Sequence, residues 1–209
     1  MLDTLIKNVT VVTMDDDNHL YTDAYIAIKD GKITYVGTEA PQEQAQTVID
    51  GRGKIAMPGL VNTHSHAAMS LMRGYADDYV LQEWLNDHVF PIEGKLVGED
   101  VYWAMMWTQA EMLACGTIAY TDMYMHLPKM AEAAVDGGLY ANISNGAMCF
   151  NPGGYCFDTD SVTAQNREVL ERFHKADHGR VKLDVSIHAE YTSFPGLWKD
   201  FSAYAVENG

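Results

Sequence analysis

From Pro58 to Gly209 the sequence alternates four times between short β-rich runs and helical runs. Four strand–helix units in succession favour parallel strands covered by helices, as in a (β/α) barrel, over an antiparallel sheet. A complete barrel of this kind takes about 250 residues, whereas 150 residues follow Gly59 in this 209-residue chain. The pattern therefore predicts an α/β fold in which residues 58–209 form about the first four units of an eight-unit TIM-type barrel, truncated before strand 5.

The same pattern predicts the individual elements of this part. The segment FPIEGK, residues 90–95, is interpreted as a loop that follows the first helix. Asp160 or Ser161 is expected to cap a later helix, because both residue types accept the exposed N–H groups of a first turn. Strands are predicted at residues 60–66, 117–124, 139–148 and 181–190, and helices at residues 81–88, 99–114, 128–136, 161–176 and 196–207.

Residues 1–57 show a different pattern, of short strands separated by turns. The run AYIAIKDGKITYVG contains Asp30-Gly31 between two β-rich segments, and Asp-Gly in this position is typical of a tight hairpin. A few strands of this length seldom close a sandwich alone. We therefore expect residues 1–57 to supply the N-terminal strands of a composite β-sandwich whose other strands lie elsewhere.

Charge and cysteine usage narrow the classes of partner and of site. Acidic residues outnumber basic ones by 29 to 14, a net charge of −15 with histidines neutral. Such a surplus repels nucleic acids and anionic lipid surfaces, so neither is expected as a partner. The three widely spaced cysteines show neither a disulfide framework nor zinc-finger spacing. With no signal peptide and no apolar run of the ~20 residues that span a bilayer, a cytoplasmic protein is expected.

His64-Ser65-His66, at the end of the first predicted barrel strand, is the most specific motif. Side chains alternate along a strand, so His64 and His66 point to the same side. Barrels of this kind place their active sites at the carboxyl ends of the strands. Two adjacent imidazoles there can bind one divalent ion, and their nitrogens suit Zn²⁺ best, with Fe²⁺, Ni²⁺ or Mn²⁺ as alternatives.

Three segments together resemble the amidohydrolase superfamily: MPGLVNTHSHAAMSLMRG (57–74), LQEWLNDHVFPIE (81–93) and EMLACGTIAYTDMY (111–124). The chain is most similar to the branch that includes 5′-methylthioadenosine/S-adenosylhomocysteine deaminases and the related ATZ/TRZ chlorohydrolases. The resemblance covers essentially the whole chain. It implies a hydrolytic deaminase that acts on a small purine nucleoside, releases ammonia and uses one metal ion per subunit.

The resemblance also implies roles for individual residues. His64 and His66 match the first two metal ligands of the family. Glu93 matches a carboxylate that binds the ribose hydroxyls, a role suited to a group that can accept two hydrogen bonds at once. Trp84 matches an apolar wall of the substrate pocket, although burial among the barrel elements explains it equally well.

His188, after the fourth predicted strand, is compatible with two roles. In the family a third histidine ligand is followed three residues later by a glutamate, but position 191 is Tyr191. His188 is therefore assigned to the substrate and not to the metal. The remaining ligands and the general acid and base are expected beyond Gly209, so no catalytic residue is assigned in this chain and the isolated chain is expected to be inactive.

Two alternatives to this function remain open. Asn145 stands where deaminases of this branch often carry an arginine for a substrate carboxylate, which leaves the substrate open. The chain could instead belong to an aminohydrolase or chlorohydrolase of another heterocycle, such as guanine, cytosine or an s-triazine. The 209 residues could also be a non-catalytic fragment with the same fold. The exact substrate, the metal and the oligomeric state are left open, and the sequence is compatible with a homo-oligomer.

Overall fold

Residues 1–59 fold around a five-stranded sheet, and the computed structural model describes every residue from Met1 to Gly209. The chain divides into two units, Met1–Gly59 and Leu60–Gly209. The strands of the first unit are β1 (Leu2–Val12), β2 (Leu20–Lys29), β3 (Lys32–Gly37), β4 (Ala45–Asp50) and β5 (Ile55–Ala56).

The longest strand, β1, organises the first unit. It pairs antiparallel with β2 and parallel with β4 and β5, and β3 extends the sheet beyond β2. Alternate residues of β1 and β2, Val9, Val11, Ala24 and Ile26, form its buried cluster. Period-two burial of β-branched and small side chains is what a sheet with one covered face requires.

The hairpin predicted at Asp30-Gly31 is confirmed. Lys29 and Lys32 pair across a two-residue connection, and Asp30 and Gly31 both have positive φ, at 52° and 70°. Two successive positive φ angles define the turn that matches the right-handed twist of the flanking strands.

The second unit alternates parallel strands with helices, as the sequence predicts. Its strands are β6 (Leu60–Ser65), β7 (Thr117–Met123), β8 (Tyr140–Ser144), β9 (Gly146–Ala147), β10 (Val181–Leu183) and β11 (Ser186–Ile187). The main sheet has the order β10-β8-β7-β6, with all strands parallel, and the short strands β9 and β11, which follow β8 and β10 in the chain, pair parallel with each other.

The helices of this unit begin after a short 3₁₀ segment, Ala67–Met72. The segment 81–93 is helical throughout, and its central turn, Trp84–Val89, is a π turn. The helices are α1 (Leu81–Glu83), α2 (Phe90–Glu93), α3 (Gly98–Ala114), α4 (Leu127–Gly137), α5 (Ser161–Phe173), the short α6 (Ala176–Gly179) and α7 (Pro195–Asn208).

The core of the second unit lies where α3, α4 and α5 meet the strands. Val101, Met105 and Met112 of α3 are buried there, as their spacing predicts, together with Met130 of α4 and Ile143 of β8. Positions three and four residues apart share one helix face, so α3 offers a continuous apolar stripe. None of the helices combines the length and the apolar character needed to cross a lipid bilayer.

Two details differ from the predictions. Phe90–Glu93 is helical and not a loop: the helical segment continues through the π turn Trp84–Val89, and Pro91, which has no N–H to donate, lies just after that turn. The two later strands, predicted as single runs, are each interrupted. β8 ends at Ser144, where the Ser144 carbonyl accepts the N–H of Tyr124, and pairing resumes at Gly146.

Candidate active site

The carboxyl ends of β6, β7 and β8 bring polar side chains to one edge of the sheet. His64 is the penultimate residue of β6 and His66 directly follows the strand, and their side chains lie against each other. Their ring centroids are 4.9 Å apart and the rings are nearly perpendicular, at 83°. Rings at this separation are close enough to bind one ion through one nitrogen each.

The tautomer of His66 follows from its hydrogen bond to the next strand. Its Nδ1 lies 2.7 Å from the carbonyl oxygen of Met123, the last residue of β7. A carbonyl can only accept, so Nδ1 carries the proton and donates it. In neutral His66 the Nε2 lone pair is then unprotonated, which is the form that binds a metal.

Asp122 fixes the chain immediately after His66. Its side chain is fully buried, and one carboxylate oxygen accepts the N–H of Ala67 at 2.8 Å. Burial raises the pKa of Asp122 to about 6, although the Ala67 N–H and the nearby His66 partly offset this effect. Asp122 thus holds the backbone that presents His66.

A cavity of about 220 Å³ opens beside this pair of imidazoles. One wall is the helical segment 81–93, which contributes mainly apolar side chains. The strand ends supply the opposite wall, including His66, Tyr124, Asn145 and His188. Four methionines also line the cavity: Met69, Met123, Met125 and Met148.

Glu93 is the only acidic residue of this cavity lining and is itself 9% exposed. Its Oε1 accepts a hydrogen bond of 2.8 Å from the hydroxyl of Tyr124. Burial, and then the charge of Glu93, raises the pKa of Tyr124, so the phenol stays protonated and remains a donor. Oε2 makes no hydrogen bond within the protein and is left to accept one from a bound molecule.

Trp84 lines the cavity and is half-buried, so it is both part of the wall and part of the packing. Its indole N–H donates to the carbonyl of Ala76 at 3.1 Å. That bond uses the single polar group of the indole, and the ring face offers only apolar contact. A flat apolar surface of this kind suits a planar aromatic ligand.

His188 follows β11 and lines the cavity with His66. Its Nδ1 lies 2.9 Å from Oγ1 of Thr192, whose own hydroxyl donates to the carbonyl of Ala189. Nδ1 is therefore the donor, and Nε2 is left with its lone pair. Burial, and to a smaller extent the proximity of His66, lowers the pKa of His188, which favours the neutral imidazole.

Gly146 makes room for His188. A Cβ at this position would lie 2.9 Å from Sδ of Met123 and 3.3 Å from Cβ of His188. The first contact requires the Met123 side chain to shift and the second is tighter than most Cβ contacts, so an added side chain would force both neighbours to give way.

Asn145 is 5% exposed and belongs to the cavity lining. The amide oxygen of Gln165 accepts two hydrogen bonds, one from the backbone N–H of Leu127 and one, at 3.3 Å, from the side-chain amide N–H of Asn145. This pairing fixes the orientation of the Asn145 amide, whose oxygen accepts no hydrogen bond within the protein. No lysine or arginine lines the cavity.

Four of the five residues singled out from the sequence line one cavity: His66, Trp84, Glu93 and His188. His64 lies against His66 but outside the lining. No group of three or more His, Cys, Asp or Glu side chains comes together as a metal-binding cluster within the 209 residues. Sequence reasoning missed Tyr124 and Thr192, which orient Glu93 and His188; their only signal is that they follow strand ends.

Comparison with known proteins agrees with the resemblance seen in the sequence. The sequence model of the amidohydrolase family matches residues 55–208. A 5′-deoxyadenosine deaminase of Methanosarcina mazei is 47% identical over 92% of this chain and 44% of its own length. A 5-methylthioadenosine/S-adenosylhomocysteine deaminase of Dictyoglomus turgidum is 36% identical over 97% of this chain and 46% of its own length.

Solved structures share the fold. An adenosine deaminase from Xanthomonas campestris, crystallised with bound zinc, superposes with a TM-score of 0.83 at 24% identity. The match covers 99% of this chain and 47% of that one. The predicted barrel-type α/β class is confirmed, and the chain spans about half the length of the relatives that it matches.

Proposed function

Because the chain belongs to the amidohydrolase family, we propose that it provides the metal-binding strand and part of the substrate pocket of a hydrolytic deaminase. The substrate would be an adenosine derivative with a small 5′ substituent. Deamination replaces the exocyclic amino group of the purine by oxygen from water and releases ammonia. The proposal extends to the whole protein, in which these residues would act together with others.

The observation that carries the proposal is that one cavity joins a carboxylate, an apolar wall and two imidazoles. Glu93, Trp84, His66 and His188 come from four separate stretches of the sequence. A mainly apolar pocket with a few convergent polar groups is the usual form of a small-molecule site. Its acceptors, Oε2 of Glu93 and Nε2 of His188, suit a ligand with hydroxyl and amino donors.

The residues present fit a divalent cation as its first two ligands. Nδ1 of His66 donates to the Met123 carbonyl, which leaves Nε2 as the nitrogen that would bind an ion, and His64 lies against His66. When bound, such an ion lowers the pKa of a coordinated water toward neutrality and so supplies the hydrolytic nucleophile. Zn²⁺ is the ion that we propose, since imidazole nitrogen suits it best, with Fe²⁺, Ni²⁺ and Mn²⁺ as alternatives.

The residues of this chain would bind and orient the nucleoside. Oε2 of Glu93 accepts the ribose hydroxyls while Tyr124 holds Oε1. Trp84 covers a face of the purine, and Nε2 of His188 accepts an N–H of the amino group or of the departing ammonia. Because apolar side chains line much of the cavity, these hydrogen bonds would form in a medium less polar than water, where they are stronger.

The 5′ substituent is the least constrained part of the substrate. With Asn145 in the wall and neither lysine nor arginine in the lining, nothing in these residues balances a carboxylate. We therefore favour 5′-deoxyadenosine or 5′-methylthioadenosine over S-adenosylhomocysteine. We also propose a cytoplasmic enzyme without nucleic acid or membrane partners, and a homo-oligomer is compatible with it.

Replacing Glu93 tests the proposal in the full-length protein. Loss of a hydrogen-bonded charge costs about 1.5–3 kcal/mol, so Glu93→Ala should lower kcat/KM for adenosine by about 10- to 150-fold. The same change should leave 2′,3′-dideoxyadenosine and free adenine nearly unaffected, because they lack the hydroxyls. Steady-state rates of ammonia release measure both effects.

The results separate the alternatives. Equal losses with adenosine and with the dideoxy analogue would show that Glu93 does not bind ribose. Turnover of guanine, cytosine or an s-triazine in preference to any nucleoside would indicate a hydrolase of another heterocycle. Absence of ammonia release from all of these, with zinc bound, would favour a binding protein with the same fold.

A further inference from the structure

The helical segment 81–93, which forms one wall of the cavity, is not a regular α-helix. Between Trp84 and Val89 it makes a π turn, in which the N–H of Phe90 bonds to the carbonyl of Leu85, five residues earlier. Single π turns of this kind hold one residue more than an α turn and are frequent at functional sites.

Helical periodicity shows what the extra residue changes. An α-helix turns by about 100° per residue, so residues 7 and 11 positions apart share one face. In a straight α-helix, Ile92 would therefore face the same way as Leu81 and Leu85. The structure has Glu93 in this position, in the cavity lining with Leu81 and Leu85, and Ile92 outside the lining.

The sequence contains a cause for the π turn. Pro91 has no N–H to donate to the carbonyl of Asp87, and its ring would clash with that carbonyl in a regular α-helix. The wider turn before Pro91 removes this conflict. The Asn86 side chain donates to the carbonyl of Gln82 at 2.8 Å and so supplies a partner within the irregular segment.

Buried contacts hold the segment on both sides of the turn. Leu85 and Val89 are buried, at 8% and 3% exposure, and Glu93 is held by Tyr124. Asp87, by contrast, is exposed and lies outside the cavity lining. The direction of Glu93 thus depends on the number of residues between Leu85 and Glu93, and not on the side chain of Asp87.

We infer that the π turn at Trp84–Val89 is a positioning device that turns Glu93 into the cavity, and with it the recognition of the ribose hydroxyls. The inference rests on the proposed role of Glu93. It makes an unusual prediction, since removing one residue from the turn would convert it to an α turn and leave Glu93 facing the cavity. Adding one residue would rotate Glu93 away by about 100°.

The test uses three full-length variants in one background, Pro91→Ala, so that a regular α-helix is possible. They are Pro91→Ala itself, Pro91→Ala with Asp87 deleted, and Pro91→Ala with an alanine inserted after Asp87. Asp87→Ala in the natural sequence is the matched control, because it removes the same side chain and keeps the residue count. Circular dichroism and thermal unfolding check that each variant is folded.

The readout is the ratio of kcat/KM for adenosine to that for 2′,3′-dideoxyadenosine, which reports on the ribose hydroxyls alone. We expect the deletion variant and Asp87→Ala to keep the natural ratio within about twofold. The insertion variant should lose about tenfold or more, to the level of Glu93→Ala. Binding of inosine, the product, measured by calorimetry should follow the same order.

Two results would overturn the inference. One is a folded deletion variant in which the ratio of kcat/KM for adenosine to that for 2′,3′-dideoxyadenosine falls, while Pro91→Ala alone keeps the natural ratio. The other is an insertion variant that keeps the natural ratio. The insertion variant decides by itself if the deletion variant does not fold. A different result concerns the proposed function. If Glu93→Ala leaves the ratio unchanged, Glu93 does not bind the ribose, whatever the turn does.

Discussion

At the scale of single residues, the side chains proposed to act in the site are held by buried or half-buried groups. His66 is oriented by the Met123 carbonyl, Glu93 by Tyr124 and His188 by Thr192. In each case the partner uses up one polar atom of the functional group and leaves the other for a ligand. Supporting contacts of this kind fix tautomer and direction before any ligand binds.

Gly146 gives a prediction at this scale. In Gly146→Ala the new methyl group would lie 3.3 Å from Cβ of His188 and 2.9 Å from Sδ of Met123, so both must shift. Because His188 is proposed to contact the base, kcat/KM should fall about tenfold or more for adenosine and 2′,3′-dideoxyadenosine alike, since a misplaced polar contact is largely lost. Steady-state ammonia release with the two substrates measures this.

Gly153→Ala is the matched control, because the added Cβ would meet only Oδ1 of Asn151, at 3.7 Å, an ordinary contact. Its kinetics should equal those of the natural protein. A Gly146→Ala protein with unchanged rates for both nucleosides would mean that the position of His188 is not critical.

At the scale of elements, the ends of helices are set by local chemistry. α5 begins after Asp160, whose Oδ1 accepts the N–H groups of Val162 and Thr163 at 2.9 and 3.3 Å. Asp160 is thus the cap, one of the two residues that the sequence offers for this position. Such a contact satisfies donors that the helix itself leaves unpaired.

Replacement of this cap has a predictable cost. Asp160→Ala should lower the free energy of unfolding by about 1 kcal/mol, the usual effect of losing an N-cap side chain. Asp160→Asn should cost only a few tenths, because its amide oxygen can accept the same N–H groups. Chemical denaturation of the three proteins measures the difference, and equal stabilities would show that α5 does not depend on this cap.

The elements also show where sequence reasoning succeeds and where it stops. The alternation of strands and helices, the Asp30-Gly31 turn and the buried stripe of α3 follow from short-range patterns and were predicted correctly. The sequence does not predict the π turn, and its prediction of a loop at residues 90–95 is wrong for Phe90–Glu93, which is helical. A proline shows that a regular helix is disturbed, but buried neighbours such as Leu85 and Val89 decide how the chain accommodates it.

At the scale of the whole molecule, the candidate site depends on contacts that no local pattern contains. His64 and His66 could be paired from the sequence, because alternation along one strand is a local rule. Their relation to Glu93 depends on how a helical wall packs on strand ends. The resemblance to a family indicated Glu93 and His188 as candidate residues, and the structure adds the hydrogen bonds that Tyr124 and Thr192 make with them.

Metal binding by the 209-residue chain is a prediction at this largest scale. Only two imidazoles lie together, and no third ligating side chain joins them within the chain. The binding free energy of a four-ligand structural zinc site is about 10–16 kcal/mol. If two ligands supply half of it, roughly 5–8 kcal/mol, the Kd for zinc lies between about 1 µM and 0.2 mM. Isothermal titration with zinc should therefore find weak binding to this chain and no ammonia release from adenosine.

Two histidine variants decide whether this binding belongs to the proposed pair. His64→Ala should weaken zinc binding by about tenfold or more, since it removes half of the ligands. His178→Ala, in an exposed turn away from the cavity, should leave the affinity unchanged. Equal zinc affinity in the natural chain and in His64→Ala would mean that the ion binds elsewhere, and the strand-end imidazoles would then lose their proposed role. Nanomolar affinity would instead reveal a further ligand that joins the pair when zinc binds.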